Sequence, residues 1–498
     1  MRILYFHTTI WHSFFSDLLL LLQHRHDADV SILCPRFFWN SYSQNVEAGA
    51  RMIPWPDLTD GKSFQDYPLD VIRPVITACE RAMGRSANRI ILAAERDIGQ
   101  GFSKGFFYWP KNPVRSFCAE DNLRPNLLLE RLFAFTADLF KKTKPDLIIS
   151  RDTNSPWAQS AWFLAKKEEI PFFTCRFSKM LSKRAFWTDD YFMYNTQAAM
   201  LTRRFIAEGK APSREALAVI AGHRERPMTV DYIRRNWARA ETSNWVKQHR
   251  NLMALAKQKA LFYIRGAKGI QPKPILPKAA EYYRILCMKH LHAKYFRTFT
   301  DTELARMRFA YLPLHKEPEL MLNFESVLWH DQRHMVKYVS SMLPAGCRLL
   351  VKEHRFNWGR RYGDYLKYLS GLPNVTLIHP FDSQFKYIQN ASLIVTDNGS
   401  TGWEGLLIKK PVVTLEKTFY DAAGLSFHVP DPRALDRVMI QALEQRTPVP
   451  EQEWDLRLAA VIDAERETTL EIETMHAEPA LSIRIIDDMI KNRERRIQ

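Results

Sequence analysis

The stretch LIVTDNGSTGWEG, residues 393–405, decides how the second half of this chain folds. Its first residues are apolar, as in a strand buried on both faces of a sheet, and its glycines allow a tight turn into a helix. Ser400 and Thr401 would place hydroxyl groups beside the free N–H groups of that helix, an arrangement that binds phosphate. Glu404 would then accept hydrogen bonds from ribose hydroxyls. The same residues also fit an ordinary capping box, so the local sequence leaves both interpretations open.

The pattern around this stretch alternates regularly between strand and helix from residue 308 onward. The predicted strands are 309–312, 348–352, 375–378, 393–396 and 411–415. The predicted helices are 332–342, 362–370, 384–390, 403–408 and 432–445, and a closing helix is predicted near 481–492. Alternation of this kind predicts a parallel sheet with helices on both faces.

The beginning of the chain carries a similar pattern. Strands are predicted at 2–6, 29–34, 147–150 and 171–175, with helices running to about residue 23 and at 127–142 and 157–167. The first 200 residues therefore predict a second doubly wound α/β domain with insertions. The expected organisation is an N-terminal Rossmann-like domain (1–230), a basic helical insertion (231–300), a C-terminal Rossmann-like domain (301–450) and C-terminal helices (451–498).

Composition excludes several classes of protein. Apolar residues make up 46% of the 498 residues, too many for a disordered chain. The net charge is +16, but residues 232–297 alone hold 15 Lys and Arg against two acidic residues, a net +13. The rest of the chain is nearly balanced, which argues against a nucleic-acid binder. The basic segment is predicted to form helices at 251–264 and 279–296, and its interleaved aromatic residues favour the surface of an anionic membrane. A solvated helical hairpin packed on the protein's own core is the alternative.

The cysteines and apolar segments bear on the compartment. None of the six cysteines forms a CxxC pair, which favours a reducing environment over a disulfide scaffold or zinc site. No run reaches the ~18 apolar residues of a membrane span. We therefore expect a cytoplasmic protein.

Other polar residues follow predicted strands, where ligands of parallel sheets bind. Lys352-Glu353-His354-Arg355 would bind or offset the charge of a diphosphate, and His315 follows the first strand of the same domain. In the N-terminal domain, His7-Thr8-Thr9 and Arg151-Asp152 end strands, and His7 or Asp152 is a candidate general base. Each of these segments also fits an ordinary solvated turn.

These motifs together resemble bacterial capsular polysaccharide biosynthesis proteins, a group related to the Kdo transferases of capsule assembly. The resemblance covers about residues 310–420. It rests on YLPLH (311–315), EPE (317–319), VKEH (351–354), GR (359–360), NV (374–375), residues 396–405, KPVV (410–413) and FY (419–420). Two positions depart from the family: Arg355 stands where Pro is usual, and Gly405 where Ala is common.

The resemblance implies a GT-B glycosyltransferase, with two Rossmann-like domains facing a cleft, a nucleotide-sugar donor on the C-terminal domain, no cofactor and no metal. CMP- and UDP-linked donors both remain open, and the acceptor would be a surface polysaccharide or its lipid-linked primer. Because capsule precursors in the resembling family are built on lipid at the cytoplasmic membrane, the resemblance also implies a peripheral position on the inner face of that membrane. The residues expected in catalysis are His354, Asp152 and His7. Those expected to bind the donor are His315, Lys352, Glu353, Arg355, Asn398, Gly399, Ser400, Thr401, Gly402 and Glu404.

Two other functions fit the same sequence. A teichoic-acid-like polyol-phosphate transferase would use a comparable His and a similar Thr-Asp-x-Ser-Ser turn, although Trp403-Glu404 favours the capsule group. A non-catalytic polysaccharide- or lipid-binding assembly protein would retain the fold with a degenerate donor site.

Overall fold

The computed structural model describes most of the chain. The described residues are 1–7, 11–55, 69–92, 125–153, 155–227, 250, 252–254, 256, 257, 260, 275–317, 322, 325, 326, 328–361 and 364–497. Thr8, Thr9 and most of the predicted helix 251–264 lie outside these ranges.

The first domain is built on a seven-stranded sheet. Its strands are β1 (Arg2–Phe6), β2 (Asp29–Cys34), β3 (Arg51–Pro54), β4 (Leu147–Ser150), β5 (Phe172–Phe177), β6 (Arg184–Thr188) and, from the end of the chain, β14 (Leu470–Glu471). The order is β14-β6-β5-β4-β1-β2-β3, with β6 antiparallel to both neighbours and the other pairs parallel. The central strands are apolar on both faces, which is why helices cover both sides.

The helices of this half follow the predicted pattern where the apolar periodicity is clear. They are α1 (His12–His26), α2 (Ser43–Glu47), α3 (Leu69–Met83), α4 (Pro125–Thr143), α5 (Pro156–Lys167), α6 (Thr196–Ala207) and α7 (Arg214–Glu225). Phe14 and Phe15 of α1 pack on one face of the sheet, while Phe133 of α4 and Phe163 of α5 pack on the other.

The second domain has a wholly parallel seven-stranded sheet. Its strands are β7 (Phe296–Arg297), β8 (Phe309–Pro313), β9 (Arg348–Lys352), β10 (Val375–Ile378), β11 (Leu393–Thr396), β12 (Val412–Thr414) and β13 (Phe427–His428), in the order β13-β12-β11-β8-β9-β10-β7. The chain moves outward from β8 through β9 to β10 and then crosses to β11 on the other side of β8. Ligands of such sheets bind at the carboxyl ends of the strands beside this reversal.

The remaining helices cover the second sheet and return to the first domain. They are α8 (Ile275–His292), α9 (Asp301–Ala305), α10 (Gln332–Met342), α11 (Tyr365–Ser370), α12 (Gln384–Asn390), α13 (Ser400–Leu407), α14 (Leu435–Gln445), α15 (Glu451–Thr468), α16 (Ile472–Ala477) and α17 (Pro479–Ile497). Helix α15 packs against α6 and α7, and α17 packs on α1. Two doubly wound domains joined in this way form the GT-B fold, so the predicted fold class is confirmed.

The structure differs from the predicted organisation in three places. Ala216 and Ile220 of α7 lie in the core of the second domain, before the expected boundary at residue 230. The predicted helix 279–296 ends at His292, because Phe296 and Arg297 form β7 of the second sheet. Helix α13 begins at Ser400 rather than at Trp403.

Candidate active site at the carboxyl ends of the second sheet

Three neighbouring strands of the second domain bring the predicted motifs together. His315 follows β8, His354 follows β9, and Asn398 and Gly399 follow β11, and these strands are adjacent in the order β11-β8-β9. A Cβ atom placed on Gly399 would lie only 3.4 Å from the His315 ring. The glycine turn and the first of these histidines therefore lie close together, and a Cβ atom at position 399 would be in van der Waals contact with the ring.

His354 is held as a neutral hydrogen-bond donor. Its Nδ1 accepts a hydrogen bond from the N–H of Phe356 at 3.2 Å. Burial lowers the pKa of His354 to about 3, and the neighbouring His315 and Lys352 act in the same direction. The neutral ring that accepts at Nδ1 carries its proton on Nε2. His354 thus keeps one N–H group, on Nε2, just beyond the end of β9.

His315 is fixed through its backbone. Gln332 accepts from the His315 N–H at 2.6 Å and donates to its carbonyl at 3.1 Å, while Asn357 donates to the same carbonyl at 3.0 Å. Burial, with the positive charge of Lys179, lowers the pKa of His315 to about 4. Both histidines are therefore uncharged at neutral pH.

The carboxylate of Glu353, which is predicted to bind the donor, is directed into the protein. Its carboxylate accepts two hydrogen bonds from Arg361, at 2.7 and 2.9 Å, and others from Asn357 and from the N–H of His354. Arg361 also forms an ion pair with Glu317. All three charged groups are buried. The carboxylate is occupied inside the protein and anchors the backbone that carries His354.

Lys352 is also directed into the protein. Its ammonium group donates to the carbonyl oxygen of Pro380 at 2.6 Å, beyond the end of β10. Burial lowers the pKa of Lys352 to about 7, with a further contribution from Arg355. The guanidinium of Arg355 is 5.5 Å from the ring of Phe381. Both cations of the predicted run, Lys352 and Arg355, thus lie beside the segment that follows β10.

The start of helix α13 has no side-chain cap. Gly399 occupies the N-cap position, and its own N–H donates to Thr396 Oγ1 at 3.2 Å. Backbone N–H groups of the first turn, including those of Ser400 and Thr401, therefore need other acceptors. The positive end of the helix dipole adds to this preference for an anion.

The glycines of this helix serve packing. A Cβ atom on Gly402 would stand 2.0 Å from the hydroxyl oxygen of Tyr420, and one on Gly405 would stand 2.3 Å from Ile394 Cδ1. Gly402 is therefore required by a neighbouring side chain, whether or not a donor binds there. The unusual glycine at position 405 has the same explanation.

Glu404 and Asn398 lie on opposite sides of the glycine turn. Glu404 is buried, and its Oε2 accepts a hydrogen bond from Gln384 at 2.7 Å. Asn398 is also buried, and its amide group donates to Glu325 at 3.4 Å. Asn398 thus connects the turn to a charged cluster that the sequence did not suggest.

That cluster joins the two domains. Glu325, whose side chain is fully buried, accepts from Arg176 of the first domain at 2.8 Å and lies 3.3 Å from the ammonium group of Lys179. The one signal in the sequence is Arg176 itself, an isolated charge in the otherwise apolar strand FFTCRF.

The two candidate bases of the first domain have different surroundings. Asp152 pairs with Arg151 at 2.5 Å, and its charge helps to raise the pKa of Arg176, which places it beside the interdomain cluster. His7 is buried, hydrogen-bonded to Tyr42 at 2.7 Å and packed on Phe38, and burial lowers its pKa to about 4. Of the two, Asp152 is the one whose charge acts on Arg176, the first-domain member of the interdomain cluster.

A small cavity opens between the domains next to the same cluster. Its volume is about 160 Å³. The first domain contributes Arg176, Lys179 and Tyr194 to its wall, and the second contributes Lys417 and Thr418. The Tyr194 hydroxyl donates to the carbonyl of Lys417 at 2.7 Å, so the wall is continuous across the domain boundary.

Residues 322–448 match the family model described as capsule polysaccharide biosynthesis protein. The resemblance to this family is confirmed over that region. It includes His354, the glycine turn and Glu404, whereas His315 precedes it. A comparison with curated protein sequences finds no match.

Several solved structures are similar to this chain. The beta Kdo 2,7 transferase of KpsC from Thermosulfurimonas dismutans is 11% identical over 69% of this chain and 88% of its own, with a TM-score of 0.31. The beta Kdo 2,4 transferase of the same protein is 14% identical over 64% and 79%, with a TM-score of 0.30. Anabaena HepE, in complex with UDP and glucose, is 12% identical over 97% and 99%, with a TM-score of 0.29.

Two searches of the described residues concern metals and membranes. No group of three or more His, Cys, Asp or Glu side chains in these ranges is arranged to hold a metal ion. Within the same ranges, no helix combines the length and apolar character that crossing a bilayer requires.

Proposed function

We propose that this chain is a glycosyltransferase that moves a sugar from a nucleotide-sugar donor to a capsular or other surface polysaccharide, or to its lipid-linked primer. One observation carries the proposal. The uncapped start of α13 follows β11, and His354, with its proton on Nε2, follows β9. Strands β11 and β9 are the two neighbours of β8 in the sheet. Such a set of preorganised donors suits a leaving nucleotide phosphate, and it lies within the capsule-family region.

The donor diphosphate would lie on the N–H groups of Ser400 and Thr401. The Nε2–H of His354 would donate to a phosphate oxygen as negative charge develops on the leaving nucleotide, and the helix dipole would offset that charge without a bound metal. His315, held against Gly399, would shape the same surface.

The acceptor would enter from the first domain. We propose Asp152 as the base that takes the proton of the acceptor hydroxyl, because its carboxylate follows the carboxyl end of β4 and its charge acts on Arg176, the first-domain partner of Glu325. The cavity of about 160 Å³ beside Tyr194 provides room for part of the acceptor.

The test is turnover with a panel of UDP-, CMP- and CDP-linked donors, including CDP-glycerol. We expect sugar transfer, a loss of about 100-fold in kcat for His354→Ala, and partial recovery for His354→Gln, whose amide N–H can still donate. His24→Ala, an exposed histidine on α1, is the matched control.

The remaining outcomes contradict the proposal in different ways. Turnover of His354→Ala equal to that of the control would refute the site. Transfer from CDP-glycerol alone would indicate a polyol-phosphate transferase. Donor binding without any transfer would indicate an assembly protein that does not catalyse the reaction.

We further propose that the basic segment 232–297 binds an anionic membrane surface. Its described helix α8 packs on the second domain near Ile285, whose carbonyl oxygen would be 2.4 Å from a Cβ atom on Gly359. Tyr283 and Leu291 are exposed on the same helix. Co-sedimentation with phosphatidylglycerol vesicles should weaken when both are replaced by Ser, and equal binding would refute this role for α8.

A further inference from the structure

A second concave surface lies beside the amino ends of β8 and β9 in the second domain. It is an open hollow with a volume of about 480 Å³. We call it the arginine pocket, and its walls include Arg297, Arg306, Arg308, Arg348, Phe299 and Gly346. Arg348 is the first residue of β9, and Arg308 directly precedes β8.

The charges of this pocket are not balanced by the protein. Four guanidinium groups face one carboxylate, Glu303, which pairs with Arg297 at 3.0 Å. Within the described part of the chain, the side chains of Arg306, Arg308 and Arg348 have no hydrogen-bond or ion-pair partner, and all three are exposed. Like charges held around one concavity repel each other, and an anion bound between them would remove that repulsion.

The pocket is separate from the candidate donor site. Strands β8 and β9 are each five residues long, so their two ends are about 13 Å apart. The donor-site histidines follow the carboxyl ends of these strands, whereas Arg308 and Arg348 stand at the amino ends. One small ligand cannot occupy both sites.

We infer that the arginine pocket binds a phosphate-bearing anion. Guanidinium groups donate in a planar fork that matches phosphate oxygens, and they keep their charge at every physiological pH. A volume of about 480 Å³ accommodates a diphosphate or a lipid headgroup. The phosphate has two possible sources, a soluble phosphate compound or an anionic phospholipid, and both present the same chemistry to the four arginines.

Calorimetric titration of the full chain with pyrophosphate tests the site. The double variant Arg308→Gln/Arg348→Gln should bind at least about 10-fold more weakly at this site than Arg437→Gln, a control that removes an exposed arginine on α14. Since the donor-site residues are unchanged in both proteins, any phosphate bound there contributes equally. Equal pyrophosphate binding by the double variant and the control would overturn the inference.

Because Arg308 and Arg348 are exposed, we expect the double variant to fold normally. Thermal unfolding curves that match those of the Arg437→Gln control would show that weaker binding is not caused by loss of folding. Flotation with phosphatidylcholine vesicles, with and without phosphatidylglycerol, then identifies the source of the phosphate. Weaker flotation of the double variant than of the control assigns the pocket to a lipid headgroup. Unchanged flotation together with lost pyrophosphate binding assigns it to a soluble phosphate compound.

Discussion

Glu325 of the second domain accepts a hydrogen bond from Arg176 of the first, with 2.8 Å between the two atoms. The other oxygen of the same carboxylate is 3.4 Å from the amide nitrogen of Asn398 in the glycine turn. A single buried side chain therefore links the relative position of the two domains to the loop on which the donor is proposed to bind.

Replacement of Glu325 by Gln should weaken this link and leave Arg176 buried without its charge partner. Breaking a buried ion pair costs about 3–5 kcal/mol, so we expect a lower melting temperature and a higher KM for the donor. The exposed pair Lys183–Glu473 supplies the control, because Glu473→Gln should cost less than about 1 kcal/mol. Calorimetry and donor titration check both effects, and unchanged stability of Glu325→Gln would contradict the structural role.

The second prediction concerns the buried contact between Glu353 and Arg361. If Glu353 anchors the loop, Glu353→Gln should lower both the free energy of unfolding, by about 3–5 kcal/mol, and kcat, because His354 loses its support. If Glu353 instead contacted the donor, the variant would raise KM at normal stability. Glu208→Gln removes the partner of an exposed pair with Arg204 and should leave both quantities unchanged.

Stability should fall in mild acid because of buried histidines. The pKa of His7 is lowered by burial to about 4 in the folded protein, whereas in the unfolded chain it is near 6.5. Between these values the unfolded state binds more protons, so the free energy of unfolding falls as pH decreases from 6.5 to 4. His315 and His354 act in the same direction.

His7→Gln should therefore reduce the slope of unfolding free energy against pH by up to about 1.4 kcal/mol per pH unit in that window. Denaturant titrations at several pH values measure the slope. His24→Gln, at an exposed position, serves as the control. A slope that does not change in His7→Gln would place the titration elsewhere.

Gly405→Ala should destabilise the protein although alanine favours helices. The added methyl group would stand 2.3 Å from Ile394 Cδ1, and overpacking of this kind costs about 1–3 kcal/mol. Ile394→Val removes that carbon and alone should cost about 0.5–1.5 kcal/mol. The double variant should lose less unfolding free energy than the two single variants lose together. Losses that simply add would show that the two residues do not collide.

Local patterns predicted the second domain closely. The bounds of β9, β10 and β11 and of helices α10 and α12 agree with the sequence, because each is an apolar run or stripe flanked by polar turns. The sequence pattern predicts the first residue of helix α13 three positions too late, at Trp403 instead of Ser400, because glycine is a weak helix former. Its glycines are tolerated there since Tyr420 and Ile394 leave no room for a side chain.

Long-range contacts account for what the sequence did not reveal. Arg176 and Glu325 are 149 positions apart, and no local period connects them. Strand alternation indicates that Lys352 and Glu353 point to opposite faces. It does not indicate that Lys352 donates to the carbonyl of Pro380 or that Glu353 pairs with Arg361. Which polar residues face a ligand is decided by such partners from other parts of the chain.

The return of the C-terminal segment has a consequence for biosynthesis. Strand β14 and helix α17 complete the first domain, with Ile483, Ile486 and Met489 packed in the same core as Phe14 and Phe15. Domains ordinarily fold in the order in which they leave the ribosome. Here the first domain lacks an edge strand and a covering helix until residues 470–497 have been translated. Part of the core of the nascent first domain therefore stays uncovered while the whole second domain is synthesised.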